Sequence, residues 1–196
     1  MNKYWRLIKN TMIFGVGTFS SKILVFLLMP LYTRILSTEE FGTVDLIIQT
    51  ANFLLPIVSL GIAQSVIRFA LEKNEDKAKV FSSGISIFLI GFIIFLFASP
   101  LLKLIPFVSN FIILLVVFVF TSSLRSLCSQ FVRGLQRVKL FAFDGVLTTA
   151  TTLGFTIYFL VYSKLGITGY ILAIICSDSL SVLFLFLAAK LWKYNF

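Results

Sequence analysis

Six stretches of about twenty mostly apolar residues follow one another along this chain, roughly at 11–33, 42–67, 80–99, 107–128, 141–162 and 167–189. A helix rises about 1.5 Å per residue, so each run matches the ~30 Å hydrocarbon core of a bilayer. Barrel strands would be about ten residues long and strictly alternating. Nothing here alternates. Lipid offers no partner for a free backbone N–H or C=O, so the spans are expected to be helical. The expected fold class is all-α: a polytopic membrane protein whose six transmembrane helices form a single bundle over residues 1–196. Composition agrees, with 59% hydrophobic and only 13% charged residues, whereas a soluble domain typically carries about 25% charged residues.

The connections set the orientation. Lys3, Arg6 and Lys9 precede span 1, and Arg68, Lys73, Lys77 and Lys79 lie between spans 2 and 3. Arg125, Arg133, Arg137 and Lys139 lie at the end of span 4 and before span 5, and Lys190 and Lys193 follow span 6. The opposite side carries Arg34, Lys103 and Lys164. The positive-inside rule therefore predicts that both termini are cytoplasmic. The same arrangement accounts for the net charge of +9 without nucleic acid. The first apolar segment is too long for a cleavable signal peptide, and no small-residue cleavage site follows it. Cys128 and Cys176 are far apart in apolar surroundings and form neither a metal spacing nor a disulfide framework. Histidine is absent, which removes the commonest metal ligand and proton shuttle. No phosphate-binding loop, dinucleotide fingerprint or metal cluster is present, so neither cofactor nor metal is expected.

The break "PLYTRILSTEEFG", Pro30 to Gly42, closes a membrane hairpin. Its Ser37-Thr38-Glu39-Glu40 reads as a capping box, which starts the next helix near Thr38. Thr148, Thr152 and Thr156 recur every four residues in span 5, with Gly145 one turn earlier. Such a small-residue face lets helices approach closely and reads mainly as packing.

Charge and polarity inside the spans mark the functional candidates. Lys22 and Asp178 sit near the middle of spans 1 and 6. At that depth a lysine does not easily snorkel clear, so both groups should face the bundle interior or a wet cavity. Two arrangements fit: they pair with each other and lock spans 1 and 6, or Lys22 faces an anionic substrate with Asp178 as counter-ion or coupling site. Asp45, Gln49 and Asn52 share one face of span 2, which lines either water or another helix. Arg125 and Arg133 face roughly the same way, and with Arg68 and Arg137 they would form a basic cytoplasmic rim suited to a diphosphate or, more simply, to lipid phosphate.

Three segments carry a family resemblance. "MPLYTRILSTEEFGTVDLI", Met29 to Ile47, resembles the first periplasmic turn of the polysaccharide biosynthesis flippases, which belong to the multidrug/oligosaccharidyl-lipid/polysaccharide superfamily with its MATE-like fold. "SLGIAQSVIRFALEKNE", Ser59 to Glu75, is similar to the family's end of helix 2, and "QFVRGLQRVKLFAFDGVL", Gln130 to Leu147, to its loop between helices 4 and 5. The order and topological positions also match, and the resemblance covers essentially the whole chain. It implies a bacterial cytoplasmic-membrane flippase that exports an undecaprenyl-diphosphate-linked oligosaccharide, such as an O-antigen, capsule or exopolysaccharide repeat unit, by alternating access. Family members carry twelve to fourteen helices in two bundles around a central cavity. This chain supplies one, so it is expected to be an N-terminal half, a fragment or truncation, or to pair with a second copy.

On that reading Lys22, Arg34, Arg68 and Arg125 are candidates for attracting the diphosphate. Gln49, Asn52 and Gln64 are candidates for hydrogen bonds to sugar hydroxyls, and Asp178 for proton or sodium coupling. These roles follow from residue chemistry and position. A rival reading is a small six-helix substrate-binding subunit of a transporter, which leaves the Pro30–Gly42 turn without a purpose. A membrane transferase would need clustered carboxylates for a metal. The eight acidic residues are scattered, so enzymatic activity is not expected.

Overall fold

The computed structural model describes Pro30, Tyr32, residues 34–72 and residues 74–194. Nearly all of expected span 1, with Lys22, lies outside the described residues. Within them the helices are α1 (Thr38–Val58), α2 (Ile62–Leu71), α3 (Lys77–Ala98), α4 (Pro106–Ser109), α5 (Ile112–Gly134), α6 (Val138–Thr156) and α7 (Gly166–Ala188). A 3-10 turn, Ser99–Leu104, extends α3, a π turn, Ile157–Tyr162, extends α6, and a 3-10 turn, Leu191–Tyr194, follows α7. No strand occurs among the described residues. Five helical stretches are long and apolar enough to cross a membrane: Thr38–Val58, Lys77–Leu104, Ile112–Gly134, Val138–Tyr162 and Gly166–Ala188. The all-α, multi-pass architecture is thus as the apolar runs demand.

The entry to α1 is built by the expected capping box. The Ser37 hydroxyl accepts from the Glu40 N–H at 3.2 Å, and the Ser37 N–H donates to Glu40 Oε2 at 2.9 Å. Two orphan donors of the first turn are met reciprocally. The span expected to run unbroken from 42 to 67 is interrupted instead, between Val58 and Ile62. Pro56 lies inside α1 and has no N–H, which removes the helical donor for the Asn52 carbonyl. Leu60 and Gly61 then adopt left-handed backbone, with φ of 49° and 64°. The Ser59 N–H closes onto the Leu55 carbonyl and the Gly61 N–H onto the Pro56 carbonyl, each at 3.0 Å. A leucine in this conformation costs about 1–2 kcal/mol, so surrounding structure must hold the break in place. Part of that support comes from α3. Gly91 faces the Val58 carbonyl so closely that a Cβ there would collide with it.

The helix α7 packs along α5 and α6, and α5 also meets α1, α2 and α3. One apolar cluster, toward the α5–α6 connection, gathers Val66, Phe81, Phe88, Leu127, Phe131 and Leu185. Another, toward the opposite end, gathers Ile47, Ala51, Phe95, Leu115, Val119 and Ile171. A polar layer lies between them, contributed by the middle turns of α5 and α7. The threonine stripe of α6 contributes to it: Thr151 and Thr152 each reach the Ser177 hydroxyl at 2.8 Å, and Ser177 donates to the Thr148 carbonyl at 2.8 Å. The stripe therefore joins α6 to α7. Gly145 takes no part in a close approach, since a Cβ added there meets nothing.

Candidate functional site

Arg125 lies about 20 Å along α5 from Ile112, at 1.5 Å per residue, which is membrane depth rather than a helix end. Its guanidinium bridges two buried carboxylates. Nη2 is 3.8 Å from Asp144 Oδ2 on α6, and Nη1 is 3.6 Å from Asp178 Oδ1 on α7. Arg125 Nε donates to Ser181 Oγ at 3.1 Å, and Ser181 in turn donates to Asp144. Ser122 donates to Asp178. Asp144 is 1% exposed and Asp178 4%, whereas the Arg125 side chain keeps 30%. An isolated charge costs several kcal/mol to bury, and here each carboxylate has both a cation and a hydroxyl. Among the described residues the cluster brings two carboxylates to one guanidinium. It is one positive charge short of neutral when all three are ionised, which suits it to take up a proton or a monovalent cation.

The second polar feature is on α1. Asp45, Gln49 and Asn52 are all exposed, while Val44, Ile47, Ala51 and Val58 on the same helix are buried. The Gln49 amide donates to Asp45 Oδ1 at 3.4 Å. Pro56 continues this stripe four residues beyond Asn52, and it leads to Gln64 and Ser126 at the α1–α2 break. The stripe is thus exposed, on the side of α1 opposite the residues that it buries among the described helices.

The other sequence-derived candidates are scattered. Arg34 is exposed beside the capped turn. Arg68 is exposed on α2, 4.0 Å from Glu72 and over the Phe69 ring. Arg133 lies over Phe141, and Arg137 Nη1 donates to the Ala189 carbonyl at 3.0 Å. The expected rim thus lacks Arg125, whose guanidinium turns inward to the carboxylates. Lys22 lies outside the described residues, and the described cationic partner of Asp178 is Arg125. Sequence reasoning passed over Asp144, Ser122 and Ser181. A carboxylate in the second turn of an apolar span was the available signal for Asp144.

This multi-helix frame, with a charged cluster at its middle, can now be set beside known proteins. The profile of the polysaccharide biosynthesis protein family matches residues 7–196. The chain belongs to that family. A similar protein is the succinoglycan biosynthesis transport protein ExoT of Rhizobium meliloti (strain 1021), 32% identical over 105 residues. That stretch is 53% of this chain and 20% of the ExoT sequence, so the chain matches about a fifth of its relative's length. No solved structure matches. Family membership and the five long apolar helices make this a multi-pass membrane protein of the polysaccharide biosynthesis family.

Proposed function

We propose that the chain is one bundle of a flippase that moves a lipid-linked oligosaccharide, of the undecaprenyl-diphosphate type, across the bacterial cytoplasmic membrane with both termini cytoplasmic. The observation that carries this reading is the outward polar stripe of α1. Hydrogen-bonding side chains facing out of a bundle at membrane depth need a polar lumen or a partner. A second bundle, either the remainder of a longer protein or a second copy of this chain, would close that lumen. A sugar diphosphate cannot cross lipid unaided, because its polar groups and charges cost too much to desolvate. Alternating access between two bundles supplies a wet path. Gln49, Asn52 and Gln64 bind sugar hydroxyls on this reading, and Arg34, Arg68 and Lys22 attract the diphosphate. Arg125 is held by Asp144 and Asp178, so it acts through them. The cluster couples transport to a proton or sodium ion, with Asp178 as the exchanging group. The protein is a carrier and not an enzyme.

The test is deletion of the gene in its own host. Loss of surface polysaccharide, with lipid-linked oligosaccharide accumulating in the inner leaflet and restored by the wild-type gene, supports the reading. Unchanged export overturns it. An immunoblot of native membranes for an N-terminal epitope separates the two ways of supplying a second bundle. A band of about twice 22.1 kDa or more supports a two-bundle polypeptide, and a band near 22.1 kDa supports pairing of copies. Recovery of an energising ATPase with the native protein would favour a six-helix binding subunit instead.

A further inference from the structure

At the end of the bundle that carries the Pro30–Gly42 turn, a cavity of about 350 Å³ lies between the start of α1 and the connection from α6 to α7. Its lining includes Ile35, Glu40, Val161, Lys164 and Gly166. Three membrane-length stretches begin or end there: Thr38–Val58 starts at Thr38, Val138–Tyr162 stops at Tyr162, and Gly166–Ala188 starts at Gly166. Span ends lie where hydrocarbon gives way to lipid headgroups. Tyr158 and Tyr162 agree with that depth. They are 53% and 82% exposed and stack in parallel at 5.8 Å, and exposed tyrosines collect at the headgroup level.

Among the described residues the cavity presents one carboxylate and one ammonium. Glu40 divides its carboxylate between two directions. Oε2 accepts the Ser37 N–H of the capping box at 2.9 Å. Oε1 turns toward Gly166, where an added Cβ would lie 3.3 Å from it. Gly166 has a φ of 54°, a conformation that favours glycine, so this wall of the cavity carries no side chain. Lys164 stands two residues earlier and is exposed. The ion pairs among the described residues join Arg68 to Glu72 and Arg125 to Asp144 and Asp178. Glu40 and Lys164 thus share one cavity without an ion pair to each other. Ile35 and Val161, 37% and 45% exposed, add an apolar edge.

A ligand that satisfies this set carries a cation with N–H donors, an anion and an apolar tail. A primary ammonium has three N–H donors to offer a carboxylate, and a lysine ammonium binds phosphate as a point charge. An anionic headgroup without an ammonium leaves Glu40 facing like charge, and a trimethylated one has no N–H to donate. We propose that the cavity holds the headgroup of a phosphatidylethanolamine molecule, with its ammonium on Glu40 Oε1, its phosphate on Lys164 and the start of an acyl chain along Ile35 and Val161. The site stands on the membrane spans and this cavity, not on the cargo proposed above.

The test reconstitutes the full chain in nanodiscs of equal parts dioleoyl phosphatidylethanolamine, phosphatidylcholine and phosphatidylglycerol. The lipid retained on release from them is identified and counted by native mass spectrometry. Phosphatidylethanolamine should be retained about 3–10-fold over phosphatidylcholine, as one hydrogen bond implies. Glu40→Gln keeps the capping box, which accepts glutamine, and should bring the two lipids to parity without lowering the melting temperature. Lys164→Gln should reduce retention of both lipids and leave their ratio intact, since both carry the phosphate. Ser37→Ala weakens the same cap without removing the carboxylate, and it should also leave the ratio intact. Equal retention by the wild type, or none, overturns the site and fits a Lys164 that folds directly onto Glu40. Selectivity that survives Glu40→Gln, or that falls as far in Ser37→Ala, overturns it too. So does preferential retention of phosphatidylglycerol, which Lys164 would collect without Glu40. The readout is lipid retention, so it is independent of whether polysaccharide export is lost or kept.

Discussion

Two polar regions at membrane depth are treated in opposite ways. The carboxylates of α6 and α7 are buried and fully engaged by Arg125, Ser122 and Ser181. The stripe of α1 is exposed, and the hydrogen bond from Gln49 to Asp45 stays within that helix. The first arrangement gives each carboxylate a cation and a hydroxyl and ties three helices together. The second leaves its groups for something outside the bundle. Stability and substrate contact should therefore separate, and mutations can test that separation.

The largest effect should come from Arg125→Ala. Removing one partner of a buried ionic cluster leaves uncompensated charge and typically costs about 3–5 kcal/mol. The variant should accumulate poorly in membranes and melt well below wild type in detergent. Asp178→Asn keeps the shape and a hydrogen-bonding group, so it should fold while losing ion-dependent export. Wild-type melting of Arg125→Ala would erase the contrast between the two regions.

Gly91→Val comes next. Its side chain would enter the space of the Val58 carbonyl, and overpacking of this kind costs about 1–3 kcal/mol. The same substitution at Gly145, where a Cβ meets nothing, should change the melting temperature little. Equal effects at the two glycines would show that the α1–α2 break is not held by α3.

These contrasts also show what the sequence makes legible. Apolar run length was enough for the spans that end in clear punctuation, because bilayer thickness alone dictates it. The capping box at Ser37 and Glu40 was legible because the pattern is local. The break after Val58 was not, since membrane helices tolerate an interior proline and the close approach of Gly91 to the Val58 carbonyl is tertiary information. Arg125 was legible as a candidate but not in its setting. Eight residues from Arg133 it shares a helix face, yet its depth, and the arrival of Asp144 and Asp178 from two other helices, is tertiary information.

A smaller effect is expected at the hairpin. Ser37→Ala removes the N-cap of α1 and should cost about 1 kcal/mol, read as a modest fall in melting temperature. Restoring the cap with Ser37→Asp should recover most of it.

The smallest stability effects are expected on the stripe itself, and there the comparison becomes sharpest. Gln49→Ala and Asn52→Ala remove exposed groups, and such changes usually lie within about 0.5 kcal/mol. Both variants should melt like wild type. Export should nevertheless fall by about 3–10-fold for each, the loss that one hydrogen bond to substrate implies. A polar group that costs nothing to delete from the fold but is needed for export is there for the cargo. If either variant instead destabilises the protein by the amount expected for Arg125→Ala, the stripe is a helix–helix contact, and the lumen must be sought on another face.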